Sequence, residues 1–330
     1  MSTGPSGEDS LIARYFKPLA TNAGAFGLVD DAAILKAEGA DIVVTTDAIV
    51  EGVHFLPDDP PDTVARKALR VNLSDLAAKG ATGAGFVLTL ALRRADDAWL
   101  SAFARGLGED ARTFDCPLLG GDTVSTPGPL TVSITAYGRI PPGKMVPRTG
   151  ARPGDQVMVT GTIGDAAIGL DILTGGPAAA ALAKDAAARE LLIGRYRVPQ
   201  PRNALADAIR AHASGAMDVS DGLAGDLTKL CAASHVSAVI DVPRIPISAA
   251  AQTVLAHRAV EIEAMISGGD DYEILCTVPA SHCAALAAAA AQAGIALTAI
   301  GTVIAGSDAP RFLDGEGREL PLARRSYSHF

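Results

Sequence analysis

The sequence predicts two mixed α/β domains of the α+β type, and three observations carry that reading. The chain has 330 residues, long for one core when a domain usually takes about 100 to 200 residues. Strand-like and helix-like apolar patterns alternate through the first half. A run dense in proline and glycine, PPGKMVPRTGARPGD over 141–155, then interrupts regular structure. The domain boundary is placed in that run, giving domains 1–148 and 149–330. Hydrophobic residues make up 48% of the chain but aromatics only 4%, so the cores must be built from Ala, Val, Leu and Ile.

Element by element, LIARYF (11–16) has a short helical pattern, and AGAFGLVDDAAIL (23–35) reads as a loop entering a strand. DIVVTTDAIVEG (41–52) is a β-branched run that stops where polar residues begin, the mark of a strand end. Val43 and Val44 are expected to anchor that strand in the core. DTVARKALRVNLSDLAAKGA (62–81) reads as a helix, with Asp62 as candidate N-cap and Gly80 near its stop. GFVLTLAL (85–92) and LTVSITAYGRI (130–140) alternate as strands do, around a helical stretch at 96–114. Beyond the boundary, QVMVTGTIGDAAIGLDIL (156–173) is a strand, a glycine turn and a helix, and alanine-rich helices are expected at 177–194 and 281–294. No period of 20 to 50 residues recurs, which argues against a solenoid.

Composition narrows the function classes. The formal net charge of -9 lacks the basic footprint of nucleic-acid binding. Charges or glycines interrupt every apolar stretch before the roughly 20 residues a membrane helix needs, and the first residues lack the basic and apolar regions of a secretory signal. A cytoplasmic protein with no membrane partner is expected. Cys116, Cys231, Cys276 and Cys283 form no CxxC pair, so reduced core thiols are expected rather than a zinc site.

The chemistry-bearing residues are carboxylates beside Gly, Ser or Thr in six places: Asp30 and Asp31, Asp47, Asp75, Asp122, Asp218 and Asp221, and Asp270 and Asp271. Any one is routinely a helix cap or an Asx-turn. Together, several at predicted strand ends or beside glycine, they look like a site, because backbone there can approach a ligand closely. Oxygen ligands with almost no His or Cys suit a hard cation such as magnesium, which bridges a few carboxylates to substrate phosphates. Gly120, Gly121 and Thr123 around Asp122 could offer backbone amides to phosphate. Arg148 in the boundary run could present its fork of donors to phosphate, and His54, after Glu51, has the surroundings of a site. Neither a Walker loop nor the protein-kinase HRD and DFG signatures are present.

Read together, VDDAAIL, TTDAIVEGVHF, ALRVNLSDLAAKGA, LLGGDT, PRTGARPGD, VTGTIGDAAIGL, MDVSDGL, SGGDDYEIL and YSHF, in order over nearly the whole chain, resemble the thiamine-monophosphate kinase family. That family shares a superfamily with aminoimidazole ribonucleotide synthetase and selenophosphate synthetase. The resemblance implies ATP-dependent phosphorylation of thiamine monophosphate to thiamine diphosphate by direct transfer. It also implies a homodimer whose first-domain sheets join into a barrel, and a second domain that completes the ATP and substrate site.

By the same resemblance Asp30, Asp31, Thr45, Thr46, Asp47, Asp75, Asp122, Asp218 and Asp221 would hold several magnesium ions. Gly121, Asp122, Arg148 and Ser220 would contact ATP, and His54, Asp270 and Arg324 the thiamine monophosphate. Three positions depart from the family pattern: Val29 stands where a glycine is common, Asp270 where Glu is common, and Arg324 where a tryptophan is common. The neighbouring readings are an aminoimidazole ribonucleotide synthetase-like enzyme, whose pattern lacks EGVHF, and a non-catalytic nucleotide-binding relative.

Overall fold

The computed structural model describes residues 11–28 and 35–322. The chain divides into two units, Met1–Leu76 with Thr82–Gly143, and Ala77–Ala81 with Lys144–Phe330.

In the first unit β1 (Asp41–Val50), α1 (Pro61–Ala78), β2 (Thr82–Leu92), α2 (Asp97–Thr113), β3 (Leu118–Ser125) and β4 (Thr131–Ile140) follow in order. The strands form one sheet in the order β1-β4-β2-β3, antiparallel except for the β2–β3 pair. Burial has the period of two expected of a sheet covered on one side. Val132, Ile134 and Ala136 of β4 are buried, whereas the residues between them are half-exposed. On the buried side, a Thr45 to Asp75 hydrogen bond ties β1 to α1, and Arg70 of α1 binds Asp110 of α2 through two hydrogen bonds of 2.5 and 2.9 Å. The opposite side leaves Val44 58% and Val124 42% exposed. Val44 is therefore not a core anchor: it has the parity that points away from the helices.

The second unit contains β5 (Gln156–Thr160), α3 (Asp165–Leu173), α4 (Pro177–Ala181), α5 (Ala186–Arg197), α6 (Ala206–His212), β6 (Gly215–Asp218), α7 (Leu223–Ser234), β7 (Ser237–Asp241), α8 (Ala249–Ala256), α9 (Ile262–Ile266), β8 (Ile274–Val278), α10 (Cys283–Gln292), β9 (Leu297–Ile304) and β10 (Arg311–Leu313). Its six strands run β10-β7-β9-β5-β8-β6. Both faces are covered, and alternation divides the core accordingly. Val157 and Val159 join Leu223, Leu227 and Leu230 of α7, while Met158 joins Ile209 of α6 and Leu286 of α10.

Several local expectations need correction. The LIARYF segment is a π-helical turn, Ile12–Phe16, followed by a 3-10 turn at Lys17–Leu19. Helix α1 begins at Pro61, whose fixed φ suits the first turn, so Asp62 lies inside the helix instead of capping it. The expected 177–194 helix breaks in two because Asp185 turns its carboxylate to the Ala188 N–H and starts α5 afresh. The GGDT stretch, to which the sequence assigned no regular element, is extended edge strand whose backbone pairs with β2.

Burial pushes the thiols of Cys116 and Cys276 up to about 12 and that of Cys231 up to about 11; only Cys283 is not buried. Thiolate is the reactive form, so a thiol reagent at pH 8 should label Cys283 first. The other three should react only on unfolding, as peptide mapping by mass spectrometry would read.

Candidate active site

In the first unit the candidate site residues lie on β1 and β3, the two edge strands of the sheet, and on α1. Thr45 Oγ1 donates to Asp75 Oδ2 at 2.5 Å, and Asp47, two residues on, has the same strand parity. Thr46 points the other way. Its hydroxyl donates to the Ile134 carbonyl at 3.2 Å and accepts from Thr135 Oγ1 at 2.9 Å. The consecutive residues Thr45, Thr46 and Asp47 thus supply both faces of the sheet. Asp122 stands opposite Thr89 and Gly121 opposite Leu88, and both are exposed. At Gly121 a β-carbon would fall on the Leu88 carbonyl oxygen, inside contact distance, so only glycine allows this approach of β3 to β2.

Several hydrogen bonds hold the turn that follows β1. The Glu51 N–H donates to the Leu130 carbonyl at 2.9 Å and the Gly52 N–H to the Phe55 carbonyl at 2.8 Å. Lys67, buried in α1, donates to the His54 carbonyl at 2.8 Å. The Val50 N–H donates to His54 Nδ1 at 3.0 Å, which leaves the proton of the neutral ring on Nε2 and makes that atom a donor. Glu51, for which the sequence suggested no role, pairs with Arg93 through hydrogen bonds of 3.1 and 2.7 Å and pins the turn to the end of β2.

In the second unit the residues between β6 and α7 run beside a strap at 268–273. The Asp270 N–H donates to the Ser220 carbonyl and the Tyr272 N–H to the Val219 carbonyl, both at 2.8 Å. Asp270 and Tyr272 have φ of +72° and +50°, a backbone region that non-glycine residues occupy only under constraint. At Gly222 φ is +111° and a β-carbon would meet the Ser267 backbone, so glycine is required where the chain turns into α7. Asp218 is buried, whereas Ser220, Asp221 and Asp270 are half-buried. Arg148 is exposed, and its carbonyl accepts from Ser234 Oγ at 2.6 Å.

The strap ends at Glu273, which is fully buried. It accepts from Thr160 Oγ1 at 2.7 Å, from Arg195 Nη2 at 2.6 Å and from Arg202 Nε at 2.6 Å, and Arg202 Nη2 completes a two-pronged pair. Such a fork fixes geometry as well as charge. Asp271, also buried, accepts from the Gly164 N–H at 2.8 Å through Oδ2, while Oδ1 has no hydrogen-bond partner among the described residues. Sequence reasoning missed Glu273, Arg195 and Arg202. The YE of GGDDYEIL was a usable signal only if a charged residue entering a buried strand prompts a search for its counter-ion.

Burial holds the Asp271 carboxyl well above the usual carboxylate range, against the opposing pull of the Gly164 N–H and Arg195. A folded-state pKa above the unfolded value of about 4 means that folding favours the protonated acid. Its contribution is fully present below pH 4 and is lost as pH rises through the folded value. Asp271→Asn should therefore become more stable relative to the parent as pH is raised from 4 upward, as urea unfolding at successive pH values would measure.

The donor chemistry decides the fit to magnesium. Among the described residues no three carboxylate, imidazole or thiolate groups converge on one point. Oxygen donors do meet in pairs, Thr45 with Asp75, while Asp221 already carries a cationic group, the Lys229 ammonium. Hard oxygen donors in small number, completed by water and phosphate, match magnesium, and the residues fit the group. Asp30, Asp31 and Arg324 lie outside the described residues.

Comparison with known proteins follows the same two-unit division. The AIR synthase related protein, N-terminal domain, matches residues 29–140, and the AIR synthase related protein, C-terminal domain, matches residues 152–311. The chain is thus an AIR synthase related protein carrying both domains in series. Thiamine-monophosphate kinase of Caulobacter vibrioides is 43% identical, covering 99% of this chain and 92% of that protein. With these matches the chain belongs to the thiamine-monophosphate kinase family. The crystal structure of thiamine-monophosphate kinase from Stenotrophomonas maltophilia K279a has a TM-score of 0.83 at 36% identity, covering 95% of this chain and 98% of that one. AaThiL complexed with AMPPCP and TMP has a TM-score of 0.77 at 27% identity, covering 93% and 97%.

Proposed function

We propose that this protein transfers the γ-phosphate of ATP directly to thiamine monophosphate, giving thiamine diphosphate. The observation that carries the proposal is the near full-length match to AaThiL, a structure that holds an ATP analogue together with TMP. The acceptor is a phosphate monoester with a second pKa of about 6, hence largely dianionic at pH 7. It needs no general base. The barrier is repulsion between two anions and charge moving onto ADP, so positioning and electrostatics carry the reaction.

In this reading Thr45, Asp47 and Asp75 on one face of the first sheet, Thr46 and Asp122 on the other, and Asp218 and Asp221 at the end of β6 hold magnesium, with Asp30 and Asp31. When bound, magnesium supplies the positive charge that lets two anions approach. Gly121, Asp122, Arg148 and Ser220 contact ATP. His54, held with Nε2–H outward from its ring bond to Val50, contacts thiamine monophosphate, as do Asp270 and Arg324. The Glu273 fork keeps Asp270 in its constrained conformation before substrate arrives, which removes an ordering cost at binding.

The first unit is the dimerising domain and the second completes the ATP and substrate site. The sheet face that leaves Val44 and Val124 exposed supports pairing with a second copy, because joining two such sheets into a closed barrel would cover it. The protein works in the cytoplasm; no helix among the described residues is long and apolar enough to cross a membrane.

A coupled assay of ADP release with thiamine monophosphate, thiamine or formylglycinamidine ribonucleotide tests the function. Turnover with thiamine monophosphate alone is expected. Turnover with the ribonucleotide would move the protein to the synthetase branch, and no turnover with any of them would make it a binding relative.

A further inference from the structure

We infer that Lys229 is a built-in counter-cation for the Asp221 metal position, occupying in the nucleotide-free protein the carboxylate that a divalent cation must take. The inference rests on the reading of Asp221 as a magnesium ligand and assigns a role to a residue outside that set.

Lys229 lies two turns into α7, and its ammonium reaches back over the start of the helix. It pairs with Asp221 Oδ2 and donates to Asp226 Oδ1 at 2.8 Å. The two carboxylates differ in kind. Asp226 has a side chain with 0% exposure, and its Oδ2 accepts from the Ser220 and Asp221 N–H groups at 3.0 and 2.9 Å. Asp226 is therefore a fixed internal anchor. The Asp221 side chain is 36% exposed and that of Lys229 is 40% exposed, so this arm of the bridge opens to solvent.

A divalent cation can take Asp221 from the ammonium without opening the core. The competitor is a lysine ammonium, a full positive charge at neutral pH, held by both carboxylates.

Two consequences follow from that competition. A divalent cation binding alone must displace one cation and remain beside it, so like-charge repulsion weakens its hold. A polyphosphate arriving with the cation offers the displaced ammonium new oxygen acceptors beside Ser220, while Asp226 keeps it tethered within reach. Metal and nucleotide then bind with positive coupling, each strengthening the other by the same factor. A lysine placed only to neutralise Asp226 would need no second bond to Asp221.

The test is calorimetric titration of the nucleotide-free protein with magnesium, in parallel for the parent, Lys229→Gln, Lys229→Met, Lys229→Arg and Asp221→Asn. Folding of each is checked by circular dichroism and by melting without metal. Gln keeps a donor for Asp226 and Met keeps only length, so a foldable neutral variant is at hand. Both neutral variants should bind magnesium about tenfold more tightly than the parent, the scale of removing one charge near a partly exposed site. The Arg variant should stay weak, and Asp221→Asn introduced into Lys229→Gln should abolish the gain.

With AMPPCP present the difference between parent and neutral variants should shrink. If the neutral variants bind no more tightly while Asp221→Asn weakens binding, the inference is overturned and Asp221 remains a ligand. If Asp221→Asn changes nothing in either background, the ligand reading itself fails and the inference falls with it.

Discussion

Asp75→Asn should lower kcat/KM by about a hundredfold or more while leaving the fold intact. Asp75 is half-buried on α1 and accepts the Thr45 hydroxyl. Asn keeps an oxygen for that bond, so the structural loss is that of one strained or weakened hydrogen bond, about 1 kcal/mol. What Asn cannot replace is the negative charge that holds a hard cation. Groups that stabilise charge in a transition state are typically worth a factor of about 100 to 1,000 each. Asp47→Asn, on the same face, should behave alike. Steady-state kinetics at saturating magnesium, with a melting curve for each variant, separates the two effects. Near-normal turnover would remove the metal from this face.

Glu273→Ala is expected to be the most destabilising single change in the second unit, by about 3 to 5 kcal/mol, the usual cost of removing one partner from a buried ion pair. Two guanidinium groups, Arg195 and Arg202, would be left facing a cavity, and Thr160 would lose its acceptor. Glu273→Gln fills the space and should cost less, because the amide oxygen still accepts from one fork. Chemical unfolding of both variants measures the difference. If the Ala variant unfolds at the denaturant concentration of the parent, the fork is not what restrains the strap. The same variants should raise KM for thiamine monophosphate more than they lower kcat, since Asp270 sits three residues before the fork on the same strap.

Much of the first unit was legible. The β-branched run at 41–52, the alternation at 130–140 and the helical stretch at 62–81 are local patterns, and the strands Asp41–Val50 and Thr131–Ile140 and the helix Pro61–Ala78 formed over them. The helix at 177–194 was not, because alanine-rich composition is silent about breaks and the Asp185 cap alone decides one. Carboxylates in six glycine- or hydroxyl-flanked places could be picked out from sequence because each is a residue type beside a flexible backbone. Their grouping could not. Thr45, Thr46 and Asp47 are consecutive, yet period-two geometry sends Thr46 to Thr135 and Thr45 to Asp75.

By itself the sequence determined the alternating elements, the excess of carboxylates and hydroxyls over thiols and imidazoles, and the family. Those properties are written in neighbouring residues. Only the tertiary structure decided that Glu273 meets Thr160, Arg195 and Arg202 across 113, 78 and 71 positions of chain, and that the Lys229 ammonium lies on Asp221 as well as Asp226. Pairings of that kind depend on strand order and on which charges burial forces together. A local period carries no record of either.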